Sequence, residues 1–140
     1  MSERPDSRLI AAALARTRLQ AVSLGLVKLH KALLDAERVR YEREHGRVET
    51  AGQMLTLVME DPWFAWLRPI GRLIVQIDGR LAEDGVLPIG EVDAFLDEAI
   101  GLLRTDRAGA EFYEAYQRAL QEFPDVVVAH GHLSGLLSGN

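Results

Sequence analysis

His30 and Glu37 lie seven residues apart in the stretch LGLVKLHKALLDAERVRYEREHG, residues 24–46, and Tyr41 follows Glu37 by four. Seven residues is close to two helical turns, so on a helix the imidazole and the carboxylate project from one side. The phenol stands one turn further on. All three sit on or beside an apolar stripe, where a polar group needs a partner once the fold closes. One reading is a structural network, with His30 bonded to a carbonyl, Glu37 meeting an arginine and the Tyr41 hydroxyl turned outward. The other is a small acid/base or ligand site between helices. Asp78, in LIVQIDGRL, is a second carboxylate beside an apolar face. Its candidate partners are Arg38, Arg40, Arg68, Arg72, His30 and Tyr41, and spacing does not choose among them. His30, Glu37, Tyr41 and Asp78 are the candidate ligand-binding set.

Metal chemistry finds little support. The chain has no cysteine and four histidines. Glu42 and His45 form one Glu-x-x-His pair, whereas a carboxylate-bridged di-iron bundle uses two such pairs and two further glutamates. A solvated helix end with Arg38–Glu42 and Arg40–Glu44 pairs accounts for the same residues. His130 and His132 are two apart, which on a helix sends their rings to different sides. No metal and no cofactor is expected, and no catalytic residue is assigned. A phosphate-cradling glycine loop and a nucleophile elbow are both missing from the sequence.

The strongest aromatic cluster is Trp63, Phe64 and Trp66, held between Pro62 and Pro69. It suits a plug at one end of a core. It also suits a partner-binding wall, with Trp63, Trp66 and Arg68 as interaction candidates, because Trp and Arg are enriched at interface hot spots.

The elements that must position these groups read as helices. Residues 1–6 read as a flexible tail, and Asp6 or Ser7 can cap the first helix. From there to His45 no proline interrupts, and Ala12, Ala15, Leu19, Val22, Leu26, Leu29, Leu33 and Ala36 recur three and four apart. That is the period of a long amphipathic helix packed along its neighbours. Gly25 weakens the helix by about 1 kcal/mol relative to alanine, which makes residues 23–25 a candidate place for a kink or break and leaves open whether the helix is broken there. Gly46 suits the C-terminal cap, and Thr50 with Gln53 forms a capping box for a short helix. Pro62, Pro69 and Gly85 punctuate the middle, Thr105 or Asp106 caps a later helix, and Pro124 opens the last. The expected fold is all-α, a single bundle-like domain of about six helices spanning residues 1–140.

Forty-eight percent hydrophobic and 26% charged residues fit a soluble globular chain. A formal charge of −5 without a basic stripe argues against nucleic-acid binding. No apolar run approaches bilayer-spanning length. The short run IAAALA is followed at once by Arg16 and Arg18, unlike a secretory signal. A cytoplasmic location without membrane contact is expected.

LHKALLDAERVRYEREHG followed by DPWFAWLRPIGRLIVQID resembles an uncharacterised family of small, all-helical bacterial proteins, over roughly residues 26–82. The resemblance implies a compact helical domain in a bacterial cytoplasm and carries no activity, cofactor or site residue. The functional expectation is a non-enzymatic protein-interaction or regulatory module, a homodimer, with a protein partner as a further candidate. The stripe beginning at Ala12 motivates the dimer, because it starts before other helices can easily cover it. The alternative is a helical bundle holding a ligand or metal at a polar site between helices.

Overall fold

The computed structural model describes residues 5–104 and 109–138, with residues 5 and 6 described by backbone alone. Among the described residues six α-helices succeed one another: α1 (Pro5–His45), α2 (Ala51–Glu60), α3 (Arg68–Leu81), α4 (Ile89–Leu103), α5 (Ala110–Glu122) and α6 (Pro124–Leu137). A 3₁₀ segment, Pro62–Leu67, joins α2 to α3, and there is no strand among the described residues. The fold is all-α with a long N-terminal helix.

α1 is the spine. Its 41 residues correspond to about 60 Å at ~1.5 Å per residue, whereas the other helices have 10 to 15 residues each. It packs against α3, α4, α5, α6 and the 3₁₀ segment, while α2 rests on the 3₁₀ segment. Leu19, Val22, Leu26, Leu29, Leu33 and Ala36 are buried as their spacing requires. The covered part of the stripe therefore starts at Leu19. Ala12 and Ala15 are only partly covered, and Leu9, Ile10 and Leu14 are 57%, 61% and 66% exposed.

Several local expectations change. The helix already includes Pro5 and Asp6, because proline is well placed in a first turn where its missing N–H is not needed; Asp6 and Ser7 therefore lie inside α1. α1 also runs unbroken through residues 23–25. A side chain at Gly25 would place its Cβ 3.1 Å from Leu133 Cδ1 and 3.2 Å from Leu136 Cδ1. Glycine lets α6 come close, and that packing offsets its weak helix propensity. The cap at Thr105 or Asp106 lies outside the described residues.

The capping box is formed. Thr50 Oγ1 accepts from Gln53 N at 3.1 Å, and Gln53 Oε1 accepts from Thr50 N at 3.3 Å. Asp61 caps the 3₁₀ segment by accepting from Trp63 N at 2.8 Å. Gly46 adopts φ +86° where α1 ends.

Arg16 and Arg18 reach back into the bundle. Arg16 donates to Leu81 O, and Arg18 donates to Leu137 O at 3.2 Å. Both acceptors are the final residues of helices, α3 and α6, where carbonyls lack helical partners and cations are favoured. By length and composition, α1 contains an 18-residue window apolar enough to cross a bilayer, a third of it buried in the bundle. This differs from the expectation drawn from uninterrupted apolar runs, because the window tolerates a few polar residues between its apolar ones. A core helix passes the same test.

Candidate functional sites

The four polar candidates do not meet in one place. Glu37 is buried, 2% exposed, and is held by three groups. Trp63 Nε1 donates to Oε2 at 2.9 Å and Trp66 Nε1 donates to Oε1 at 3.2 Å. Arg40 Nη1 lies 3.0 Å from each oxygen. The guanidinium carbon also stands 5.4 Å from the centroid of the Trp63 ring, a cation–π contact. A carboxylate accepts at both oxygens, and here both are occupied by fixed donors. The pairing of Arg40 with Glu44 is replaced by this contact with Glu37.

The aromatic cluster thus serves the carboxylate. Phe64 is fully buried and Trp66 is turned inward at 9% exposure, while Trp63 is half-buried. Trp66 packs edge-on against Phe112 at 5.4 Å between centroids. Arg68 is half-buried and donates to Met59 O at 2.9 Å, closing the turn between α2 and the 3₁₀ segment. Tyr41 stacks on His45 at 4.3 Å and meets Trp63 edge-on at 5.7 Å.

Asp78 is exposed on the flank of α3, and none of its six candidate partners reaches it. Its Oδ1 accepts from Ser23 Oγ of α1 at 2.7 Å. Ser23 is buried, so the bond satisfies a hydroxyl that the α1–α3 contact would otherwise strand. The Glu42–His45 pair is also occupied locally. Glu42 accepts from Val48 N at 2.7 Å and His45 Nδ1 lies 3.3 Å from Tyr41 O. Among the described residues no three His, Asp or Glu side chains are grouped so as to hold a metal ion.

His30 differs from the others. It is half-buried and makes no hydrogen bond or ion pair among the described residues. Burial lowers its pKa from the ordinary 6.5, because the charged imidazolium loses water. The ring opens onto a groove of about 670 Å³ between α2, the 3₁₀ segment and α3. Val58, Met59, Phe64, Leu67 and Val75 supply its apolar lining. Arg68, Arg72 and Gln76 bring polar groups to the same groove. Gly71 lies beside the imidazole: a Cβ there would stand 3.6 Å from His30 Nε2.

A relay that sequence spacing did not single out joins α5 to α6. Tyr116 Oη and His130 Nδ1 are 2.7 Å apart, and His130 Nε2 is 3.5 Å from Ser134 Oγ. Burial raises the Tyr116 pKa and lowers that of His130. The order hydroxyl, imidazole, phenol resembles a nucleophile, base and orienting group. At 3.5 Å, however, the serine contact is longer than a well-formed hydrogen bond, and the cavity beside it, about 280 Å³, is walled largely by Ile100, Leu103, Arg104 and Leu137. The arrangement satisfies the inward-turned phenol. The legible signal was the four-residue spacing of His130 and Ser134; the partner from α5 had none. His132 points to solvent.

No family model, no curated protein and no solved structure matches this chain.

Proposed function

We propose that the protein is a non-enzymatic interaction module that pairs with a second copy of itself through the outward face of the N-terminal half of α1. The observation that supports this reading is an exposed face without charge. At about 100° per residue, Leu9, Ile10, Ala13, Leu14, Thr17, Gln20, Ala21, Leu24 and Val27 share the side of α1 turned away from the buried stripe. Arg16 and Arg18, the charges within this stretch, are drawn to the ends of α3 and α6. Ile10, Leu14, Thr17, Ala21 and Leu24 recur four and three apart, the seam spacing of paired helices. Leu14 and Leu24 are 66% and 63% exposed. A two-fold axis would set this seam against its own copy, the commonest closed arrangement.

Sedimentation velocity at tens of micromolar, roughly the range in which a standard interface holds, tests the pairing. The expected result is a dimer that becomes a monomer in an Ile10→Asp, Leu14→Asp double variant, which stays folded because both side chains are exposed within one chain and whose Tm falls only by the stabilisation that pairing supplied. A monomeric wild type overturns the reading. So does a chain that stays monomeric and floats with phospholipid vesicles.

A further inference from the structure

The groove over His30 combines three properties. Its wall is apolar, with Met59 and Val75 left 66% and 70% exposed at the mouth. Its charged residues are cationic only: Arg68 and Arg72 line it, and no carboxylate does. It also holds an imidazole that the fold leaves without a partner. In a protein of net charge −5, a groove lined by two guanidinium groups and no acid is a local reversal of sign.

The contrast with other cations is informative. Arg40 is committed to Glu37, Arg43 to Glu122, and Arg80 to Glu83 and Glu91. Arg72 is exposed on α3 and has no ion pair or hydrogen bond among the described residues. Arg68 spends one nitrogen on Met59 O, and a guanidinium has five N–H donors. Small-molecule sites are clefts of roughly 300–1,000 Å³ with apolar walls and a few polar groups that fix orientation; this groove, at about 670 Å³, has that size and composition.

We infer that the groove between α2, the 3₁₀ segment and α3 binds an organic acid with an apolar body, its carboxylate on Arg72 and Arg68 and its chain along Val58, Phe64, Leu67 and Val75. A carboxylate matches the planar fork of arginine better than any neutral headgroup does. His30, neutral near pH 7 because burial disfavours its charged form, supplies one further hydrogen bond from the floor. The site is independent of the pairing proposed for α1, since the groove uses none of Leu9, Ile10 or Leu14.

Calorimetric titration of the full chain with decanoate and with decanol, both below micelle formation, tests this. The expected result is saturable one-to-one binding of decanoate and distinctly weaker binding of decanol. Arg72→Ala should weaken decanoate roughly tenfold, the loss of one charge-assisted contact, and leave decanol unchanged. Val75→Glu places a carboxylate at the mouth and should weaken decanoate more than decanol. Arg72 and Val75 are exposed, so both variants keep the core intact, and the Ile10→Asp, Leu14→Asp chain should bind decanoate as the wild type does. Absence of saturation, equal binding of acid and alcohol, or decanoate binding that ignores Arg72→Ala and Val75→Glu overturns the inference.

Discussion

Glu37 and His30 stand on the same helix, two turns apart, and the fold treats them oppositely. Glu37 is enclosed by two indole N–H groups and a guanidinium. His30 faces an open apolar groove and is bonded to nothing among the described residues. The difference follows from charge. A buried carboxylate without donors costs far more than a buried imidazole, which can shed its proton and remain neutral. Three donors converge on Glu37, whereas His30 is left available. A polar residue on a buried face is thus informative only together with its surroundings: one of these two is a structural tie and the other has spare bonding capacity.

The contrast can be broken most directly at Glu37. Removing one partner of a buried, hydrogen-bonded ion pair costs about 3–5 kcal/mol. Glu37→Ala strands the N–H groups of Trp63 and Trp66 and should lower the unfolding free energy by that order, read as a lower denaturant midpoint at unchanged slope. A variant that unfolds at the wild-type midpoint would show that Glu37 is not a tie.

A smaller effect is expected from pH. The His30 and His130 pKa values are lowered in the folded protein by burial, so the unfolded chain takes up protons first as the pH falls. Stability is therefore fully present above the unfolded value of 6.5 and is lost as the pH drops through 6.5 toward the folded value. Chemical denaturation between pH 7.5 and pH 5 should show this loss, and His30→Leu should reduce it. A pH dependence identical in wild type and His30→Leu would place the loss elsewhere.

The smallest effect should come from His30→Leu at pH 7.5, where the imidazole is neutral. No hydrogen bond among the described residues is broken, so the change should stay within about 1 kcal/mol, far below that of Glu37→Ala. A large loss of Tm would mean that His30 supports the fold after all.

How far these sites were legible depends on the range of the interactions that make them. That Glu37 would meet an arginine was one of two readings, but the arginine itself was misassigned: Arg40 was paired with Glu44, and it turns instead to Glu37, three residues away. The capping box at Thr50 was readable, because Gln53 is three residues away. The tryptophans that complete the Glu37 site, 26 and 29 residues away, were visible as a cluster but not as hydrogen-bond donors to it. Ser23 was not among the partners considered for Asp78, which were the cations, the imidazole and the phenol; which of many distant donors reaches it depends on how α1 packs on α3. His130 was weighed only beside His132, and no expectation paired it with Tyr116, because that contact depends on how α5 packs against α6.

The helical class, the order of the helices and the inward stripe of α1 from Leu19 to Ala36 were all legible along the chain. These follow from hydrophobic period, proline and glycine placement and caps, all of which act within a few residues. Tertiary structure alone decided that α1 would continue unbroken at Gly25, where the close approach of α6 makes the missing side chain an advantage. It alone decided that Arg16 and Arg18 would turn toward the ends of α3 and α6. It also decided which polar side chains found partners. The reason is physical: a pattern along the chain fixes which face of a helix is apolar, but a donor reaches an acceptor only where two elements have been brought to within about 3 Å of each other.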